Sequence, residues 1–266
     1  MDNSLSPSEA WTEHYKHSEV NIKLVVKWIL KNHPWSGSRS FSDKIIKYGK
    51  INNKSKIFEP GCATAKISLA VALRANCEIT CLDYSEEALT VARETYNTLT
   101  RVKPVKINAK FVIGDLQNLK FNNEFDVVFN EGVIEHWFDK NDRLNTIINM
   151  AKACKPGGKV LIWVPNAMSF FYKFWIKTKY PAFDIVSEKP FRPDELKELM
   201  KLAGLKDVKV EIHQIYLSPF IWPYIFTKFR VLAVFVWFVF YIMPKSIHNK
   251  LSFKFGHQLL GMGTKQ

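Results

Sequence analysis

From Ser55 onward, short apolar runs alternate with amphipathic stretches. The runs are Lys56–Phe58, Ile79–Leu82, Phe111–Ile113, Phe125–Phe129 and Val160–Val164. None alternates strictly between apolar and polar residues, the pattern of strands covered on both faces of a parallel sheet. The stretches between them predict helices over Lys66–Arg74, Glu86–Leu99 and Asp142–Cys154. Ser85 is placed to cap the second of these, with Glu86 and Glu87 in its first turn. Lys155-Pro156-Gly157-Gly158 reads as a helix stop and turn closing the third. A further helix is expected over Pro193–Ala203, with Pro193 in its first turn and Gly204 just past its end. A strand is expected over Val208–Tyr216. This alternation builds βαβ units into an α/β, doubly wound sheet.

The N-terminal part to about Asn53 is mixed. A helix over Val20–Lys31 carries Ile22, Val25, Val26, Ile29 and Leu30 on one side. At 266 residues, 47% hydrophobic and 24% charged, the chain can bury a full core and is not a disordered one. A net charge of +13 draws anions, whether nucleic acid, anionic lipid or acidic metabolite, or else reflects a solvated lysine-rich surface. The polar first nineteen residues lack the pattern of a secretory signal. Cys62, Cys77, Cys81 and Cys154 form no C-x-x-C pair, and no histidines stand at zinc spacing. Reduced thiols in a cytoplasmic protein are expected, with no metal site.

One stretch breaks the pattern. Ile212–Thr227 contains no Lys, Arg, Asp or Glu, and Val231–Met243 is an unbroken apolar run. The second run falls short of the roughly 20 apolar residues a bilayer span needs. Joining the two would put Lys228 and Arg230 mid-membrane, at high cost. Two short apolar helices are expected, packed on the protein, seated at a dimer seam or lying at a membrane surface.

The loop Glu59-Pro60-Gly61-Cys62-Ala63-Thr64-Ala65 follows the first strand and opens a helix, where free N–H groups and the helix dipole favour a polar ligand. About twenty residues on, the second strand ends in Asp83, the position of an acid that accepts hydrogen bonds from ribose hydroxyls in nucleotide-binding folds. The third strand ends in Gly114-Asp115-Leu116 and the fourth in Asn130-Glu131-Gly132. Together these loops mark the carboxyl edge of the sheet, where open α/β sheets bind ligands.

On these motifs, Ser55–Asn166 resembles a class I S-adenosylmethionine-dependent methyltransferase, in the group that includes the ubiquinone and menaquinone biosynthesis methyltransferases. The strand-four motif Asn130-Glu131-Gly132-Val133-Ile134-Glu135-His136 and the turn Lys155-Pro156-Gly157-Gly158 match that group. Phe191-Arg192-Pro193-Asp194-Glu195-Leu196 resembles its helix before strand six, and Gly256-His257-Gln258-Leu259-Leu260-Gly261-Met262-Gly263 its strand seven. The resemblance implies a Rossmann-like, mostly parallel seven-stranded sheet with helices on both faces and an apolar helical insertion before the last strand. One domain is then expected: an N-terminal helical lid to residue 53, a cofactor-binding core over 54–211, the insertion over 212–250 and the last strand over 251–266.

The resemblance further implies S-adenosyl-L-methionine as cofactor, held by Glu59, Gly61, Cys62, Ala63, Asp83, Tyr84, Asp115, Leu116, Asn130 and Glu131. Tyr15, in Trp11-Thr12-Glu13-His14-Tyr15, resembles the aromatic segment that closes over the methionine end. Glycine is usual where this loop has Ala63 and Ala65, and alanine fits there if φ stays negative. These two alanines leave open a degenerate, non-catalytic member of the group. His136, just past the strand-four loop, is the candidate general base, needed only if the acceptor must lose a proton. The expected acceptor is a small molecule, lipid-like or quinone-like. Residues 216–244, flanked by Lys228, Arg230, Lys245 and Lys250, suit peripheral membrane contact or a lining for that acceptor. A nucleic-acid or protein acceptor is the alternative, disfavoured by the absence of an Asn/Asp-Pro-Pro-aromatic motif and by dispersed lysines.

Overall fold

The computed structural model describes residues 7–17, 19–33, 36–169, 172, 188–213 and 256–266. Three helices come first: α1 (Pro7–His17), α2 (Ile22–Leu30) and α3 (Gly37–Gly49). The alternating part follows as β1 (Lys56–Pro60), α4 (Lys66–Ala75), β2 (Glu78–Asp83), α5 (Glu86–Val102), β3 (Ala109–Ile113), β4 (Phe125–Glu131), α6 (Lys140–Ala153) and β5 (Cys154–Pro165). Then come α7 (Pro193–Leu202), β6 (Leu205–His213) and β7 (Gln258–Lys265). The expected seven-stranded sheet is present, in the order β3-β2-β1-β4-β5-β7-β6. Strands β1 to β5 pair in parallel, and β7 runs antiparallel between β5 and β6. The chain winds outward from β1 to β3 and then returns to place β4 beside β1. That reversal opens a crevice at the carboxyl ends of β1 and β4.

Adjacent residues of a strand point to opposite faces, so each central strand supplies two cores. Ile57, Phe129, Leu161 and Trp163 face one core, closed by Val26 and Ile29 of α2, Phe41 and Ile45 of α3, and the apolar faces of α4 and α5. Phe58, Val128, Val160 and Ile162 face the other, closed by Ile147 and Met150 of α6 and by Leu196 and Leu199 of α7. The four cysteines are free and buried.

The caps behave as their chemistry demands. The Ser85 hydroxyl accepts from the Ala88 N–H, and Gly204 takes a φ of 81° just past α7. Three expectations are corrected. Lys155-Pro156-Gly157-Gly158 lies inside β5, where Gly157 at φ 78° accompanies a register irregularity against β4. Helix α6 begins at Lys140, because the Asp139 carboxylate caps the N–H groups of Asn141 and Asp142. Strand β6 begins at Leu205; Asp207, at φ 51°, sits in a register shift that interrupts its apolar pattern. Nearly all of the apolar insertion over 212–250, including 216–244, lies outside the described residues. No helix among the described residues is long and apolar enough to cross a membrane.

Candidate functional site

The loop from β1 to α4 is a cradle of backbone. Gly61 takes φ 72°, and a Cβ there would meet Val133 Cγ2 at 2.7 Å, so glycine is required both for conformation and for space. Its N–H and that of Cys62 both donate to the Leu82 carbonyl, at 2.7 and 3.0 Å, which ties the loop to the end of β2. Ala63 and Ala65 adopt φ of 48° and 53°. The condition of a negative φ is therefore not met: the two alanines take the left-handed conformation glycine would take, and keep the loop's shape at a strain of about 1–2 kcal/mol each. Ala65 is the N-cap of α4 and has no side chain with which to cap. Glu59, at 4% exposure, does so from β1 by accepting from the Ser68 N–H at 3.1 Å. Burial pushes its carboxyl up to about 8 despite that hydrogen bond.

Asp83 closes the other side. One carboxylate oxygen accepts from the Ala63 N–H at 2.9 Å and the other from the Ser85 N–H at 3.1 Å. It is 6% exposed, and burial raises its carboxyl above the usual range. Each oxygen retains lone-pair capacity beyond that one bond. Tyr84 and Tyr15 are both held well above the ordinary phenol range, first by burial and then by the Asp83 charge. Cys62 shares this neighbourhood, its thiol raised by burial and by contact with Cys81. At the end of β3, Asp115 accepts from the Gln117 N–H at 2.8 Å and starts the short 3-10 turn Leu116–Asn118, in which Leu116 is buried.

The end of β4 divides its residues between the faces. Asn130 is fully buried and turned toward α6, its amide 3.4 Å from Met150 Sδ and its carbonyl oxygen without a partner among the described residues. Glu131 points the other way and accepts from Gln258 Nε2 at 2.7 Å. The next turn, Ile134–His136, carries His136 at 6% exposure. Helix α1 lies across these loops: Trp11 meets the His136 ring edge-on at 5.2 Å and the Tyr15 ring at 6.2 Å. Tyr15, Cys62, Ala63, Asp83 and Tyr84 thus gather at one end of the crevice. Glu131 and His136 follow at the end of β4, linked to Tyr15 through the Trp11 ring, and Asn130 faces away toward α6.

Sequence reasoning missed several residues around this site. Gln258 arrives from β7, and its pairing with Glu131 is legible only once the antiparallel strand is placed. Trp11 belongs to a segment noted for Tyr15, and aromatic content was its one signal. Arg143, 1% exposed on its side chain, donates to the Trp137 and Lys189 carbonyls at 2.6 Å each, pairs with Glu195 at 2.8 Å and stacks on Phe191 at 4.0 Å. It rivets the segment before α7 onto the turn after β4.

Comparison with known proteins agrees with this geometry. Residues 51–216 match the family model described as a methyltransferase domain. The chain is 27% identical over 194 residues to a demethylmenaquinone methyltransferase of Staphylococcus carnosus (strain TM300), covering 63% of this chain and 75% of that protein. It is 32% identical over 169 residues to an O-methyltransferase of Pyrenophora dematioidea, covering 59% and 57% of the two. Among solved structures, a Haemonchus contortus phosphoethanolamine N-methyltransferase 2 bound to S-adenosylhomocysteine superposes with a TM-score of 0.63 at 20% identity, over 100% of this chain and 61% of that one. At such identity the likeness speaks to fold.

Proposed function

This chain belongs to the methyltransferase-domain family and is an S-adenosylmethionine-dependent class I methyltransferase, and from that premise we propose that it methylates a small, apolar, quinol- or phenol-like acceptor. The residues present fit the cofactor. The left-handed loop at the N-terminus of α4 leaves backbone room for the methionine end, near Glu59, Gly61, Cys62 and Ala63. Asp83 has lone pairs to offer the ribose, and Tyr84, Asp115 and Leu116 flank the place of the adenine. Tyr15 and Glu131 close on the sulfonium side, and Asn130 supports β4 from behind. When bound, the cofactor supplies an already activated methyl group.

The protein's share of the chemistry is then positioning and exclusion of water. Trp11 and Tyr15 on α1 roof the crevice. The observation that carries the acceptor reading is His136, nearly buried beneath the Trp11 ring just beyond Glu131. An imidazole in an aromatic mouth suits an apolar ring carrying a hydroxyl whose proton must be lost before or during transfer. The relatives named for demethylmenaquinone and O-methyl transfer support the same acceptor class. We assign residues 216–244 to the approach of this apolar acceptor, from a membrane surface or along the protein.

The test is cofactor titration by calorimetry followed by a methyl-transfer screen with labelled cofactor. Separate acceptor pools of quinols and phenols, total RNA and total protein are supplied. Label entering the first pool alone is the expected result. Label entering only RNA or protein overturns the acceptor assignment.

A further inference from the structure

The turn after β4 and the segment before α7 meet at a cluster of ligating side chains that no short sequence motif announces. Glu135, His136 and Glu188 each offer one ligand atom, and these atoms lie within 4.8 Å of one another, the one such group among the described residues. Glu135 is 2% exposed, and its Oε2 has no hydrogen-bond partner among the described residues. An ionised carboxylate buried with an unpaired oxygen is costly unless a cation or a proton neutralises it. The Glu131 and Glu188 charges add to the negative potential at this point. Arg143 is the nearby cation, but its Nε, Nη1 and Nη2 are bound to the Trp137 carbonyl, Glu195 and the Lys189 carbonyl. Glu188 is steadied by the Tyr172 hydroxyl, which donates to its Oε1. The Lys189 N–H donates to the Glu135 carbonyl at 2.9 Å, which fixes the two segments against each other. The cluster is therefore assembled by tertiary contacts that do not use the unpaired Oε2.

We propose that Glu135, His136 and Glu188 bind a divalent cation of the zinc and manganese type at the acceptor side of the crevice. One imidazole with two carboxylates is a mixed nitrogen and oxygen donor set, which suits zinc or manganese better than the all-oxygen preference of calcium. Three protein ligands leave a coordination position open, as in catalytic rather than structural metal sites. An acceptor hydroxyl there is polarised by the cation and releases its proton to water more readily. This inference rests on the acceptor side read above and replaces the general-base role of His136 with that of a ligand, the cation now promoting loss of the hydroxyl proton.

The experiment uses the full chain, stripped with a chelator and titrated by calorimetry with Zn²⁺, Mn²⁺ and Mg²⁺, with Co²⁺ added for its visible absorption bands. One saturable Zn²⁺ or Mn²⁺ site per chain is expected, with weaker Mg²⁺ binding. Glu135→Gln and Glu188→Gln should each weaken it tenfold or more while retaining cofactor binding, which certifies their fold. No saturable ion, or an affinity that neither variant alters, overturns the site. Saturable binding of ethanolamine in place of the metal, abolished by the same variants, reassigns the cluster to an ammonium group and equally overturns it. Metal binding without label transfer to quinols or phenols leaves the metal site standing and removes the acceptor assignment instead.

Discussion

At the scale of single residues, the strain in Ala63 and Ala65 and the burial of Glu59 and Asp83 have measurable consequences. Ala63→Gly and Ala65→Gly should each raise stability by about 1 kcal/mol, because glycine takes positive φ without the Cβ penalty. Urea unfolding midpoints that fall in both variants would refute the strain. Asp83→Ala should weaken cofactor binding by about 1.5–3 kcal/mol, the scale of hydrogen bonds to a charged group. Unchanged affinity by calorimetry in a folded variant removes Asp83 from the site. Glu59 adds a pH dependence. Its folded value of about 8 lies above its unfolded one, so the folded state holds the extra proton in that window. Stability should fall as pH rises from about 4.5 to about 8, by an amount of order a few kcal/mol. Glu59→Gln should flatten this part of the profile. Urea midpoints at several pH values that decline equally in both proteins would contradict that origin.

At the scale of elements, α1 is the part of the site least tied to the sheet. It rests on α5 and reaches His136 and the Asp83 neighbourhood through Trp11 and Tyr15. Trp11→Ala should raise the cofactor dissociation rate about tenfold, since losing a roofing aromatic is worth roughly 1.4 kcal/mol in retention. Stopped-flow dissociation at the wild-type rate would show that α1 does not roof the cofactor. The first turn of α4 depends on a remote residue, since Glu59 caps a helix whose own N-cap is alanine. Strand β5 shows the same tertiary override: its Lys155-Pro156-Gly157-Gly158 segment has turn composition and bulges between Cys154, paired with Phe125, and Lys159, paired with Val127 and Thr264, so the strand runs on across it.

At the scale of the whole molecule, charge and the apolar stretch act together. A net charge of +13 gives a long-range attraction to anionic surfaces that salt screens within about 10 Å at 0.1 M. Val231–Met243 is a run of thirteen apolar residues, and such a run must meet protein or lipid to avoid aggregation. The chain should co-sediment with anionic vesicles at low salt, less at high salt, and less again with neutral vesicles. Absence from both pellets would assign residues 216–244 to packing or acceptor lining alone.

The alternation of strands and helices from β1 onward, the gathering of the β1, β2, β3 and β4 loops at one edge of the sheet, the Ser85 cap and the tight turn at Gly61 were legible in the sequence. Each rests on local chemistry, such as apolar periodicity, a capping hydroxyl, or a glycine and an acid at a fixed interval along βαβ units. Other features were decided by tertiary structure. The sign of φ at Ala63 and Ala65 followed from tying the loop to Leu82 and Asp83, and nothing in an alanine foretells it. Asn130 and Glu131 are neighbours in sequence, yet the pleat of β4 sends one to α6 and the other to Gln258. Glu188 reaches Glu135 and His136 because Arg143 bridges two segments far apart in the chain. Contacts at such separation depend on packing, and one-dimensional spacing carries no trace of them.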